Sequence, residues 1–205
     1  MSSNVSKICS IVDESVTKVG FFGGLIKAFK KQRHVDVWLK AGDDTDAIPA
    51  HKLILAARSK VFSNILETDD CKASSKETIT LSEMTKGELE TFLEFMYNGS
   101  LPETKLVQHV HSLYLAADKY GIPYLQDLCR NQLIDSMNTS NAFVLLEIAK
   151  IHSDEILQDS ISEFITRHME EIAFSSKFMS FVESYPALTV QMIRGHVNKV
   201  KRQID

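Results

Sequence analysis

Residues able to hold a metal, cradle a phosphate or act as a nucleophile occur in this chain, but not in the spacings those tasks need. Zinc takes clustered Cys and His. His109 and His111 stand two apart on a predicted helix and point to different sides. Asp43, Asp44 and Asp46 lack the Gly and the distal Glu of a calcium loop, so they read as a solvated turn. Gly20-Phe21-Phe22-Gly23-Gly24 has no Gly-Lys-Ser/Thr and no preceding strand, which excludes a phosphate cradle. No Gly-x-Ser-x-Gly elbow occurs. Cys71 stands beside Lys72, a neighbour that favours thiolates, but no base or orienting group accompanies it. An ordinary exposed thiol follows. His51 reads as a hydrogen-bonded core histidine. The expectation is a non-enzyme with no cofactor and no metal.

The elements that position these residues fall into three parts. From Ser6 to Arg33, Ile8, Ile11, Val12, Val19, Phe22, Leu25, Ile26 and Phe29 recur at three- and four-residue steps, an amphipathic stripe. The glycines break it, so the stronger helix starts at Phe21 or Leu25 and ends in the basic run Lys27, Lys30, Lys31, Arg33. In the second part, Val35, Val37 and Leu39 alternate with Asp36, Trp38 and Lys40, as in a strand. Ala41-Gly42-Asp43-Asp44 is a turn, and Asp46 to Pro49 a returning strand. Two short helices follow, with Leu53, Ile54 and Ala57 and then Val61, Phe62, Ile65 and Leu66 as their stripes, Ser59 capping the second. Thr78 to Leu81 is a strand. Thr85 and Glu88 form a capping box before a helix with Leu89, Phe92, Leu93 and Met96 inside, closed by Asn98-Gly99. A helix to Lys119 ends at Gly121, and Pro123 opens the next. In the third part, Thr139 or Ser140 caps a helix, Ser153 starts another, and Phe174 to Ile204 holds one or two more. The fold class is α+β with helices dominant and an all-α extension at the C-terminal end.

Composition bounds the function. Of 205 residues, 44% are hydrophobic and 24% charged, and the net charge is −4. That balance excludes a disordered chain and a dedicated nucleic-acid binder, which would be strongly basic. No apolar run approaches the length of a membrane helix, and the start reads as lacking a secretory signal. Cys9, Cys71 and Cys129 are odd in number, far apart and form no Cys-x-x-Cys, which fits a reduced intracellular compartment, cytoplasm or nucleus.

Several segments, in order, resemble a BTB/POZ domain. They are His34-Val35-Asp36-Val37, then Ala50-His51-Lys52 with Leu55-Ala56-Ala57-Arg58-Ser59 and Val61-Phe62, then Ile79-Thr80-Leu81. Phe92 to Gly99, with its Tyr-x-Gly end, and Leu115 to Tyr120 with Leu125 and Cys129 complete the likeness. Lys40-Ala41-Gly42 and Ala73 to Ile79 are most similar to the short BTB/POZ proteins of plants. Asn141-Ala142 with Leu145 and Ala149 resembles the BACK-like helical extension of cullin adaptors. The implied fold is a helix cluster flanked by a short mixed sheet, followed by helices. The implied division is a dimerisation segment at 1–33, the BTB/POZ domain at 34–134 and the extension at 138–205.

The resemblance implies a substrate-specific adaptor of a cullin-3 ubiquitin ligase, a homodimer or a partner of other BTB proteins, bridging cullin and an unknown protein substrate. Its dimer interface would use Phe22, Leu25, Ile26, Phe29, Val35 and Val37. Burying that apolar face against a second copy favours association and gives a two-fold interface. Asp36 and Lys52, polar residues beside apolar runs, read as an ion pair, and the family places a charged pocket there. The cullin surface would include Asn64, Glu67, Asp70, Cys71, Lys72 and Tyr124. Asp70-Cys71-Lys72 stands where many members carry a hydrophobic-x-Glu motif, a departure that favours the alternative of a non-ligase dimerisation scaffold. Phe21, Phe22, Leu25, Ile26 and Phe29 beside Lys27, Lys30 and Lys31 also have the composition of an interfacial membrane helix. Burial in the dimer is the preferred reading, with no membrane and no nucleic acid as partners.

Overall fold

The computed structural model describes residues 23–42, 46–67 and 78–204. Phe22, Asp70, Cys71 and Lys72 therefore lie outside the described residues, as do Cys9, Asp43, Asp44 and the stripe from Ile8 to Val19. The chain forms two compact units, one up to Gln126 and one from Asp127.

In the first unit, helix α1 (23–30) ends where Gln32 takes a left-handed φ of 49°. Arg33 N–H bonds the Ala28 carbonyl and Gln32 N–H that of Phe29, the double closure of a Schellman ending. Strand β1 (Val37–Ala41) then pairs antiparallel with β2 (Ala47–Ala50) and parallel with β3 (Thr78–Leu81), in the order β2-β1-β3. The central position of β1 explains its pattern: Val37, Leu39 and Ala41 are buried, while Trp38 and Lys40 are half-buried.

Helices α2 (Lys52–Arg58) and α3 (Lys60–Glu67) follow. Ser59 caps α3 by accepting from Phe62 N–H at 3.1 Å. The predicted stripe of α2 is corrected. Leu53 is 75% exposed, Ala57 is exposed, and the residue that enters the core is Leu55. With only seven residues, α2 anchors one side chain inside and leaves the next turn in solvent.

The capping box of Thr85 and Glu88 starts α4 (Lys86–Asn98), and Gly99 closes it at φ 72°. Thr91, Phe95 and Tyr97 are buried alongside the expected Leu89, Phe92, Leu93 and Met96, so α4 is the central helix of this unit. Helix α5 (Glu103–Lys119) ends at Tyr120 and Gly121, the latter at φ 61°, and α6 (Pro123–Asp135) begins. Phe62 stacks on Tyr120 with centroids 4.7 Å apart, and Phe92 completes the cluster at 5.9 Å from Tyr120.

The second unit is helical: the end of α6, α7 (Ala142–Ile151), α8 (Glu155–Arg167), α9 (Met169–Ile172), α10 (Ser176–Ser184) and α11 (Pro186–Ile204). One predicted cap and one predicted helix start are corrected. Asn138 Oδ1, not Thr139 or Ser140, accepts the N–H groups of Ser140 and Asn141 ahead of α7. Asp154, not Ser153, caps α8 by accepting from Leu157 N–H at 3.1 Å. Ser153 instead holds a left-handed φ of 52°. Asp154 is buried and pairs with Arg130 Nε at 2.7 and 2.9 Å. Leu145, Leu146, Leu157, Ile161 and Ile165 fill this core, and Phe143 packs on Phe181 at 4.7 Å.

Candidate functional site

The first group of candidate residues surrounds Tyr97 at the end of α4. Its hydroxyl accepts from His51 N–H at 3.0 Å and lies 2.6 Å from His51 Nδ1. His51 Nε2 lies 2.7 Å from the Arg33 carbonyl. A carbonyl only accepts, so Nε2 carries the proton, and the tyrosine O–H donates to Nδ1. The Tyr97 ring also stacks on Phe29, with centroids 4.3 Å apart and planes at 19°. One side chain thereby fixes α1, the residue after β2 and the end of α4. Burial pushes its phenol up to about 12. Beside it lies a cavity of about 370 Å³ lined by Ile26, Phe29, Ile48, Pro49 and Tyr97 on its apolar side.

The structure brings Asp36 and Lys52 together. Asp36 Oδ1 accepts from the backbone N–H of Lys52 at 2.7 Å, and Asp36 is exposed. The carboxylate caps the first turn of α2, where His51 makes no side-chain cap. The expectation of partly buried charges does not hold for Asp36.

The second group lies around the α5–α6 turn. Ser59 Oγ donates to the Tyr120 carbonyl at 2.5 Å, which ties the start of α3 to this turn. A methyl at Gly121 would lie 3.7 Å from Val61 Cγ2, so the two elements touch. Tyr120 O–H donates to Glu83 at 2.5 Å, and Lys119 reaches the same carboxylate at 2.8 Å. Burial opposes the charge on Glu83, but these two donors outweigh it and hold the carboxyl below its ordinary value. Asn64 and Glu67 are exposed on α3. Tyr124 is 65% exposed at the start of α6, braced by stacking on buried Phe95. The structure thus sets Asn64, Glu67 and Tyr124 on two elements that one turn holds together.

Residues 25–137 match the BTB/POZ domain. The chain belongs to the BTB/POZ domain family. It is 45% identical over 188 residues to BTB/POZ domain-containing protein At1g01640 of Arabidopsis thaliana, covering 92% of this chain and 90% of that protein. It is 48% identical over 189 residues to the putative BTB/POZ domain-containing protein At2g40450 of the same plant, covering 89% and 90%. Mouse TD and POZ domain-containing protein 1 is 34% identical over 150 residues, covering 71% of this chain and 40% of that protein. The BTB domain of zebrafish PATZ1 aligns with a TM-score of 0.47 at 21% identity, covering 60% of this chain and 95% of that one. The BTB fold, a helix cluster with a short mixed three-stranded sheet followed by helices, is the α+β class expected.

Within this BTB chain, Leu25, Ile26, Phe29 and Val35 are half-buried and retain surface. Val37 is corrected: it is fully buried as an inward residue of the central strand and has no side-chain surface to offer a partner. Leu53, on α2 next to Lys52, was missed as a surface residue because its spacing matched the core stripe. Tyr97 was missed as well, since no periodicity reports where a phenol oxygen points. Among the described residues, no group of three or more His, Cys, Asp or Glu is placed to hold a metal. No helix among them is long and apolar enough to cross a membrane.

Proposed function

We propose that this BTB/POZ protein is a dimeric, intracellular, substrate-specific adaptor of a cullin-3 ubiquitin ligase. It bridges rather than catalyses, in keeping with a family whose members are typically non-enzymatic adaptors. The observation that supports this most is the exposed trio Asn64, Glu67 and Tyr124, braced by the Ser59–Tyr120 and Phe95–Tyr124 contacts. A large aromatic ring held rigid in solvent is the residue type that anchors protein interfaces. Residues 138–205 serve as the extension and 1–33 as the dimerisation segment beside a 34–134 domain. Leu25, Ile26, Phe29 and Val35, joined by Leu53, face the second copy, with Asp36 and Lys52 at the groove.

The test is titration calorimetry of the full chain against the N-terminal region of cullin-3. Submicromolar binding at one cullin per protomer, weakened about tenfold or more by Tyr124→Ala, is the expected result. No binding by folded dimer at high micromolar concentration overturns the adaptor reading. The second reading, a non-ligase scaffold that pairs with larger BTB proteins, draws its support from Asp70-Cys71-Lys72 in place of the hydrophobic-x-Glu motif.

A further inference from the structure

Helix α11 carries an apolar seam of which Val190, Ile193 and Val197 are left exposed by its own unit. Val190, Ile193, Val197, Val200 and Ile204 fall at alternating three- and four-residue steps, the a and d positions of a heptad repeat, and all five are β-branched. Val190, Ile193 and Val197 are 47%, 43% and 44% exposed. The side of the helix next to this seam is the one packed inward. Met192 and Thr189 are buried. His196 Nδ1 donates to the Thr166 carbonyl of α8 at 3.0 Å. Gly195 passes so close to α8 that a methyl there would lie 3.3 Å from Thr166 Cγ2. The helix is therefore pinned along one side, and the seam borders that side on the exposed surface.

Charge decides what fits it. From Pro186 to Ile204 the sequence holds Arg194, Lys199, Lys201 and Arg202 and neither Asp nor Glu. The helix dipole accounts for basic residues in the last turn, but not for Arg194 in the middle. Arg194 and Lys201, both exposed, occupy the e positions that flank the seam. A second copy would bring no acidic residue to them in parallel, and would set them against each other in antiparallel. A narrow a/d seam also fits one helix better than a lipid surface, which takes a wider apolar face.

We infer that the Val190–Ile193–Val197 face of α11 is a docking seam for an amphipathic helix of a partner protein that carries acidic residues beside its own apolar stripe. This stands apart from the proposed cullin surface and uses none of Asn64, Glu67 and Tyr124.

The experiment uses the full chain and two synthetic peptides of about four heptads, alike at a and d, one with Glu and one with Lys at e and g. The expected result is binding of the acidic peptide about tenfold or more tighter than the basic one, with the gap narrowing as salt rises. Ile193→Asp with Val197→Asp abolishes binding at an unchanged melting midpoint. Arg194→Glu with Lys201→Glu inverts the preference. Equal binding of both peptides, binding of neither by the folded chain, or an unaltered preference after charge reversal overturns the inference. So does a self-associated species that the Asp pair dissolves, or pelleting with phosphatidylserine vesicles in place of peptide binding.

Discussion

The Tyr97 hydroxyl holds His51 twice, accepting from its backbone N–H at 3.0 Å and meeting its Nδ1 at 2.6 Å. The same ring lies flat against Phe29. Position 97 therefore governs how the first helix seats on the rest of its unit.

Tyr97→Phe keeps the stack on Phe29 and removes both hydrogen bonds. The expected cost is about 1–3 kcal/mol, because two half-buried groups of His51 lose their partner. A shift of the urea midpoint with an unchanged slope checks it. Burial raises the Tyr97 phenol from 10.0 to about 12. Its contribution is fully present below pH 10 and is lost as pH climbs toward 12, where the unfolded chain gives up the proton first. Burial and Glu83 raise Tyr120 as well, so the difference between wild type and Tyr97→Phe isolates the effect. If both proteins lose stability equally across that window, the account of Tyr97 fails.

Gly42 and Gly99 are needed for different reasons, and substitution separates them. A methyl at Gly42 would sit 2.3 Å from the Ser82 backbone oxygen, with ample φ freedom but no space. A methyl at Gly99 has space, its nearest neighbour being Arg58 Nη2 at 3.9 Å, but the φ of 72° strains it. Gly42→Ala is expected to cost about 1–3 kcal/mol or more, since backbone must move. Gly99→Ala costs about 1–2 kcal/mol, and Gly99→Asn recovers most of that because Asn tolerates the left-handed region. Thermal melts of the three variants suffice. An Asn no better than Ala at position 99 would contradict the torsional explanation.

Asp154 accepts from both Arg130 and the first turn of α8, and it is almost wholly enclosed. Asp154→Ala takes one of its two carboxylate partners from Arg130, leaving Asp127, and uncaps the helix, with an expected loss of about 2–4 kcal/mol. Asp154→Asn preserves the cap and loses less. Hydrogen exchange reads the effect locally, as faster exchange in Ala142–Ile151 and Glu155–Arg167. Unchanged protection in those helices would show that the pair is dispensable.

Leu25→Asp with Leu53→Asp tests the proposed dimer face without touching the Phe29 stack. Sedimentation velocity should give a monomer with native helicity. A dimer that survives both changes places the interface elsewhere.

Much of this fold was legible in the sequence for local reasons. The capping box at Thr85 and Glu88, the left-handed Gly99 and the alternation of Val37 and Leu39 with Trp38 and Lys40 depend on neighbours within a few residues, so pattern reveals them. The errors have one cause. Leu53 and Val37 depend on which face a distant element covers, and periodicity carries no such information. A seven-residue helix offers two apolar faces, and only the tertiary fold selects Leu55 over Leu53. For the interaction surface, the position of the exposed Tyr124 ring depends on Phe95, which the whole of α5 and its flanking turns separate from it in sequence.

The cap that Asp36 places on α2 has a kinetic corollary. Helices of seven and eight residues do not persist alone in water. Here the first is capped by a carboxylate 16 positions upstream, and the second is tied through Ser59 to a carbonyl 61 positions downstream. Neither helix can consolidate until the β1–β2 hairpin and the α4–α5 pair have brought those groups into place. The segment Lys52–Glu67 is thus a late-folding region, with low φ-values. Substitutions there should change the unfolding rate and leave the refolding rate nearly untouched.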